Sequence, residues 1–230
     1  MQLNESTVKV LQNFANINPN MVFTDGNVLK TMSEARNIVS EARIDQEFPR
    51  KFGIYDLNEF LGALSLFDNP MLTFSGDEYV LISDVNNLSK VKYFFSDPEI
   101  LTTPTNTVKM PSAEIQFKLT EANITRLKKA ASSLGHSQLK ITPHETVGNL
   151  DITVFAENNP TANTFNITVP GNLETSTAPA NFEMIFNVNN LKFISGDYDV
   201  SISSKNVSNF KLSDGSIEYW VALEKESRWS

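Results

Sequence analysis

One pattern of apolar residues occurs twice in the chain, and it constrains the fold more than any other feature. Leu3 and Leu119 each precede an acidic residue by two positions and open a run of apolar residues at helical spacing. The matched positions are Leu3, Glu5, Val8, Leu11 and Ala15 in the first half, and Leu119, Glu121, Ile124, Leu127 and Ala131 in the second. This spacing predicts an amphipathic helix at the start of each half, over 5–17 and 120–134.

A strand that runs into a short helix is also predicted in both halves. In the stretch 55–67, Asp56 is a suitable N-cap and Glu59 follows it by three residues, as in a capping box. The apolar face of that helix would be formed by Leu57, Phe60, Leu61 and Leu64. In the second half, 187–194 matches this segment and is expected to be a helix that ends near Gly196. Any two amphipathic helices can be aligned by chance, but here the order of the neighbouring elements matches as well.

The remaining pattern is β. Alternation predicts strands over 21–24, 28–32, 38–44, 71–74, 79–82, 91–95, 115–119, 138–142, 150–155, 164–169, 182–186, 197–203, 207–212 and 217–224. Hairpin turns are expected at 25–27 and at 75–78, and a polar loop is expected at 170–179. The predicted class is therefore α+β, with two similar domains of antiparallel sheets and two helices each. We place these domains at 1–97 and 112–230, joined by a proline-containing connector, 98–111.

No catalytic signature stands out in the sequence. The chain has no cysteine, only two histidines and no glycine-rich phosphate loop. Acidic pairs such as Asp97 and Glu99 occur, so a carbohydrate-active enzyme that uses two carboxylates remains an alternative. We expect a binding protein without catalytic activity, cofactor or metal. No signal peptide or membrane span is expected either.

The placement of charge is more informative than its sum. A formal net charge of -8 argues against nucleic-acid binding unless the cations share one face. In the second-half helix, Lys129 lies opposite the apolar stripe, and Arg126 and Lys128 flank it. In the first helix, Lys9 projects outward with Gln12, Asn13 and Asn16 beside it, and Lys192 adds a cation to the predicted helix 187–194. Ordinary solvated helix faces are the alternative interpretation.

Three segments resemble one known family. They are the stretch 55–67, the segment 11–18 near the start and the segment 219–224 near the end. Together with the chain length and the order of elements, they resemble the sliding clamps of T-even-type bacteriophages. The resemblance spans the whole chain, although 133–185 matches poorly.

The resemblance implies a DNA clamp fold in which three subunits join head to tail into a ring, with sheets outside and helices lining the hole. The residues that would then face duplex DNA are Lys9, Gln12, Asn13, Asn16, Arg126, Lys128, Lys129 and Lys192. Implied partners are double-stranded DNA bound without sequence specificity, the DNA polymerase, an ATP-driven clamp loader and late transcription factors. The implied location is the cytoplasm of the infected bacterium.

The resemblance also directs attention to two contact surfaces. We expect the strand 91–95 to meet the strand 164–169 of a neighbouring subunit, through Tyr93, Phe94, Phe95, Phe165 and Ile167. These aromatic residues would otherwise be interior core. A pocket for partner peptides is expected at Ile100 and Leu101, which are apolar within the connector. The alternative function is a β-rich, trimeric structural or adhesion protein of a phage.

Overall fold

The chain forms two compact units, Met1–Thr107 and Val108–Ser230. The structure is a computed structural model that describes residues 1–104, 108–173 and 181–229. Both units combine helix with antiparallel strands, so the predicted α+β class is confirmed. The connector residues 105–107 lie outside the described residues, and the proposed domain limits stay a prediction.

The two helices of the first unit begin at side-chain caps. Helix α1 (Glu5–Ile17) follows Asn4, whose Oδ1 accepts a hydrogen bond from Thr7 N at 2.7 Å. Helix α2 (Leu57–Leu64) follows Asp56, which accepts from the backbone nitrogens of Asn58 and Glu59. Each cap satisfies amides that have no partner within the helix. The predicted apolar stripes are buried at Leu11, Phe14, Ala15, Leu57, Phe60 and Leu64.

The strands of the first unit form three separate antiparallel groups. β1 (Met21–Phe23) pairs with β4 (Phe52–Ile54), and β2 (Gly26–Met32) pairs with β3 (Ile38–Phe48). The third group is a meander of β5 (Met71–Thr73), β6 (Tyr79–Ser83) and β7 (Lys90–Phe94), whose first turn is the hairpin predicted at 75–78.

The hairpin predicted at 25–27 is wrong. The backbone of Gly26 has a φ of +100°, and the chain turns a corner there, so that β2 leaves β1 and pairs with β3. β1 is fully buried and Phe23 stacks on Phe52 of β4 at 4.4 Å between ring centroids. Burial of this aromatic pair explains why β1 pairs with β4 although the local turn signal favours β2.

The second unit contains one long antiparallel sheet among its described residues. Its strands are β8 (Ile115–Leu119), β9 (Gln138–Pro143), β10 (Asn149–Phe155), β11 (Phe165–Leu173), β12 (Phe182–Asn187), β13 (Tyr198–Ser203), β14 (Val207–Leu212), β15 (Ile217–Ala222) and β16 (Arg228–Trp229). The order within this unit is β16-β12-β9-β10-β11-β8-β13-β14-β15. The loop predicted at 170–179 is wrong for its first part, because β11 continues to Leu173 and pairs with β8 there. The part from 174 onward lies outside the described residues.

Helix α3 (Glu121–Leu134) follows the prediction for 120–134 closely. The Thr120 side chain accepts from Asn123 N, and Gly135 ends the helix in the left-handed region at a φ of +67°. Ile124, Leu127 and Ala131 are the residues that α3 buries, as predicted.

The second helix predicted for this unit, over 187–194, is wrong. A single 3-10 turn, Val188–Asn190, stands in its place, so the described residues of the second unit contain one α-helix and not the two predicted. Asn187 does cap this turn, but Val and Asn are weak helix formers, and the chain leaves the helical region at Leu191.

The first part of the predicted connector packs on the first unit. A 3-10 turn, Pro98–Ile100, follows Asp97, and Ser96 N donates to Gly53 O at 2.9 Å. A Cβ atom on Gly53 would lie 2.5 Å from Ser96 O and 2.8 Å from Leu101 Cδ1. The glycine therefore permits a close approach that brings residues 96–101 against β4.

Candidate nucleic-acid interface

Helix α3 presents three cations on the face that the sheet does not cover. Arg126 and Lys129 are exposed, and Lys128 is half-buried. The Arg126 guanidinium lies 5.7 Å from the ring centroid of Phe165, and Lys128 Nζ lies 5.9 Å from that of Phe193. Burial lowers the pKa of Lys128 below its ordinary value. Each ring lies near the charged end of its cation, and a helix face with three cations can bind a row of phosphates.

Helix α1 carries a weaker version of this face. Lys9, Gln12 and Asn16 are exposed, and Asn13 is half-buried, opposite Leu11 and Phe14. This surface offers one cation and three amide side chains, which can donate hydrogen bonds to phosphate oxygens. Lys192 is not on a helix, because the chain there follows the 3-10 turn; it is half-buried and cannot extend an α-helical row as predicted.

Three of the four cations on the strands of the second unit are matched by carboxylates, unlike those on the helices. Ion pairs join Lys118 to Asp199 at 2.7 Å, Lys140 to Glu183 at 2.9 Å and Lys211 to Glu218 at 3.0 Å. Among the described residues, Lys9, Arg126, Lys128 and Lys129 form no ion pair. Arg126, Lys128 and Lys129 therefore form a cluster of three cations without a carboxylate partner on one helix of an acidic chain.

Strand β7 is an edge of its sheet within the described residues. Phe94 is 60% exposed, but its two aromatic neighbours serve the fold of the first unit. Tyr93 Oη is a hydrogen-bond donor to Asp56 O at 3.1 Å and to a Glu59 carboxylate oxygen at 3.2 Å. Burial, and then the negative charge of Glu59, raise the pKa of this phenol. Phe95 packs on Phe52 at 4.7 Å between centroids. Of the three aromatics that the predicted strand 91–95 brings to a subunit interface, Phe94 is thus the one that is open to a partner.

Strand β11 has an edge over 165–169, where it pairs with β10 and with no other described strand. Ile167 points into the core and is 7% exposed, whereas Phe165 is half-buried beneath Arg126. The backbone of this edge, and not the Ile167 side chain, is what the second unit can offer to a partner strand.

The two residues predicted for the peptide pocket differ in exposure, and the pocket itself stays a prediction. The Leu101 side chain is 7% exposed and packs over Gly53, so the fold itself requires it, whereas Ile100 is 69% exposed. A cleft of 490 Å³ lies beside this segment, lined by Val22, Thr24, Val28, Lys30, Lys51, Pro98, Thr103 and Pro104. Sequence reasoning missed this cleft because its residues come from strands and a connector that only tertiary structure brings together.

Other chemistry finds little support in the part of the chain that the structure describes. No group of three or more His, Asp or Glu side chains is placed to hold a metal ion there. His136 Nε2 lies 2.8 Å from Asn163 O, and His144 Nδ1 accepts from Thr146 N. No helix within those residues is long and apolar enough to cross a membrane.

Comparison with known proteins identifies the family. The family model "DNA polymerase processivity factor" matches residues 4–74, and "gp45 sliding clamp, C terminal" matches residues 116–225. The sliding clamp of Vibrio phage KVP40 is 32% identical over 97% of this chain and 99% of that protein. The chain belongs to the sliding clamp family.

Two further clamps and one solved structure extend this result. The sliding clamps of Enterobacteria phage T4 and Escherichia phage RB69 are 27% and 25% identical, each over 99% of this chain and 98% of the relative. The proliferating cellular nuclear antigen of Entamoeba histolytica superposes with a TM-score of 0.68 at 15% identity, over 95% of this chain and 94% of that one. The predicted clamp fold is confirmed, as is the predicted function of a DNA polymerase processivity factor of the phage clamp family.

Proposed function

We propose that three copies of this clamp chain close into a ring around duplex DNA and hold the replicative polymerase on its template. The observation that carries the proposal is the cluster of three cations without ion-pair partners on α3, with Lys9 on α1, whereas three of the four cations on the strands of the second unit are matched by carboxylates. In this ring, α1 and α3 face the DNA and the sheets lie outside.

Contact with DNA in this ring is made to phosphates. The residues that make it are Lys9, Gln12, Asn13, Asn16, Arg126, Lys128, Lys129 and Lys192. Contacts of this kind attract the duplex without a sequence-specific minimum, so the ring slides. Retention then depends on closure of the ring and not on affinity.

Closure uses the two strand edges. β7 of one subunit pairs with the 165–169 edge of β11 in the next, which makes the contact heterologous and lets three subunits close a ring. Phe94 covers the seam because it is the exposed aromatic of β7. This pairing satisfies backbone groups that would otherwise invite aggregation.

Partner proteins that bind the ring are tethered to the DNA. A polymerase held on the ring has a high effective concentration at the primer end and rebinds before it diffuses away. A closed ring needs an ATP-driven loader, since the chain has no nucleotide-binding motif of its own. Late transcription factors dock on the same ring in the cytoplasm of the infected bacterium, and the clamp itself performs no catalysis.

The proposal is tested by retention on DNA of defined topology. A ring loaded on a nicked circle stays bound through a high-salt wash, and cutting the circle once releases it. A particle of about 77 kDa, three times the 25.7 kDa of the chain, is expected in solution at micromolar concentration. A structural or adhesion protein could share that mass, but it would bind circular and linear DNA equally or not at all.

Phe94→Asp tests the seam in the same assays. A charge at this position is expected to abolish the 77 kDa particle and retention together, whereas Val147→Asp, at an exposed loop position, is expected to change neither. A Phe94→Asp protein that stays trimeric and retained would contradict the proposed seam.

A further inference from the structure

The exposed side of the β11 edge carries an oriented carboxylate. Asp151 lies on β10, one strand in from the edge, and its Oδ1 accepts from Thr168 Oγ1 at 2.7 Å and from Asn166 Nδ2 at 3.1 Å. Thr153 Oγ1 in turn donates to Asn166 Oδ1 at 2.9 Å. These bonds direct the carboxylate over β11 toward the edge. Asp151 is half-buried and forms no ion pair with any described residue.

The backbone groups of the same β11 edge can form hydrogen bonds with a partner strand. Gly171 N donates to Gly148 O, so in the alternating ladder the odd residues of β11 bond to β10. The N–H and C=O groups of Asn166 and Thr168 therefore point outward. These two residues also hold Asp151, so an incoming strand meets the backbone and the carboxylate at one place.

Strand β7 carries the opposite charge on its outward residues. Phe95 N donates to Glu78 O, so Tyr93 and Val91 bond to β6, whereas Lys90, Lys92 and Phe94 turn their backbone groups to the edge. Their side chains are exposed. Lys92 Nζ lies 4.4 Å from the ring centroid of Tyr79, a cation–π contact, and Lys92 forms no ion pair with any described residue.

We infer that Lys92 of one subunit pairs with Asp151 of the next across the ring seam, an inference that rests on the ring proposed above. With α2 and α3 on one side of the joined sheet, Lys92 and Asp151 share the other side, because Tyr93 faces α2 and Ile167 lies in the core beneath α3.

The match requires β7 to pair with β11 in the antiparallel direction. Lys92 is the middle residue of β7, and Ile167 is the middle residue of the 165–169 edge. Full overlap would place Lys92 opposite Ile167, whose side chain lies in the core. Pairing of the outward backbone groups in an antiparallel ladder instead offsets the strands by one residue and places Lys92 opposite Asn166 or Thr168, the two residues that hold Asp151. The two Cα atoms are then about 10 Å apart, two strand spacings, which a lysine stem and an aspartate side chain span together.

The ion pair between Lys92 and Asp151 stabilises the closed ring electrostatically. Salt weakens this ion pair by screening. The pair also restricts the register of β7 on β11, because a shift of one residue would turn Lys92 to the other face. Asp151→Asn keeps an oxygen that can accept from Thr168 and removes only the charge. We expect this variant to raise the dissociation constant of the ring about fivefold at low salt and to reduce its salt dependence.

Charge exchange tests the pair directly. Asp151→Lys and Lys92→Asp are each expected to raise the dissociation constant of the trimer at least about 10-fold, measured by sedimentation or single-particle mass, and the double exchange to recover it to within about threefold. Glu145→Lys, at an exposed loop position of the same unit, is the matched control and is expected to leave it unchanged.

The outcomes separate this inference from the proposed ring. If the wild-type chain is trimeric and the double exchange is no tighter than the single variants, the pair is refuted and the ring stands. If the wild-type chain never forms a trimer, the ring itself fails.

Discussion

The two halves of the chain begin alike and diverge at their second helical segment. Asp56 and Asn187 occupy matching positions, and each side chain accepts hydrogen bonds from backbone amides two or three residues later. The first continues into an eight-residue helix, and the second ends after a three-residue 3-10 turn. A cap alone therefore does not determine the length of the helix that follows it.

The residues after the cap and their tertiary partners account for the difference. Leu, Glu and Ala dominate α2, whereas Val, Asn and Phe follow Asn187, and the latter are weaker helix formers. In the second unit, Tyr198 Oη donates to Ile194 O at 2.6 Å, and Ile194 N donates to Tyr219 Oη at 3.2 Å. Two phenols thus satisfy the backbone that a longer helix would have satisfied.

The halves also differ in charge. α3 carries Arg126, Lys128 and Lys129, whereas α1 carries Lys9 alone among polar amides. If both helices face DNA, the second unit supplies most of the attraction to phosphate. Four sets of variants test the differences between the halves.

The largest effect is expected on the salt dependence of DNA binding. Arg126→Ala with Lys129→Ala removes six cations from a trimeric ring, and the slope of log affinity against log salt is expected to fall by up to about 5. Lys9→Ala removes three, so its slope falls by at most about 3. Titrations at several salt concentrations measure both. Equal losses in the two variants would show that the halves contribute alike.

Glycine substitutions compare backbone requirements in the two units. Gly53→Ala puts a Cβ atom 2.5 Å from the backbone of Ser96 and is expected to lower the free energy of unfolding by about 2 kcal/mol or more. In Gly135→Ala the new Cβ atom meets no neighbour, so the free energy of unfolding falls only through the positive φ, by about 1 kcal/mol. Denaturant titration gives both values. A Gly53→Ala protein as stable as wild type would contradict the close packing of residues 96–101 on β4.

Removal of one phenol probes the segment that replaces a helix. Tyr198→Phe leaves Ile194 O without its donor and is expected to reduce the stability of the second unit by about 1 kcal/mol. Tyr93→Phe, which removes a bond to the exposed end of α2, should have a smaller effect. Reversal of that order would mean that the segment around Ile194 does not depend on its tyrosine.

The smallest effect concerns Lys128 and pH. Burial lowers its pKa in the folded state below the ordinary 10.5, so between these two values the unfolded chain binds more protons and folding gains stability as pH rises. Lys128→Met removes this dependence. The variant is expected to be more stable than wild type near pH 7, and thermal unfolding should show that advantage shrinking toward pH 11. A constant difference across this range would exclude a buried, charged Lys128.

Local sequence patterns predicted some elements and failed at others for physical reasons. Helices α1, α2 and α3 were predictable because capping residues and apolar periodicity agree at Asn4, Asp56 and Thr120. The pairing of β1 with β4 was not predictable, because it depends on Phe23 and Phe52, which are distant in sequence. The burial of Leu101 was missed for a similar reason, since nothing local shows that Gly53 leaves room for it.

The candidate site divides in the same way. Helical spacing was enough to predict the outward positions of Arg126 and Lys129, but Lys192 was assigned to a helix that does not form. The Asp151 cluster could not be predicted, because it joins residues of two strands through their register.

The position of DNA relative to α3 can be measured directly by photo-crosslinking on topologically closed DNA. A photoreactive residue at position 129, on the exposed face of α3, should crosslink efficiently to a duplex circle carrying the loaded protein. The same residue at position 118, exposed on β8, should not. Linearisation before irradiation should abolish the signal from 129. Equal crosslinking from both positions, or a signal that survives linearisation, would contradict a ring whose helices face the DNA.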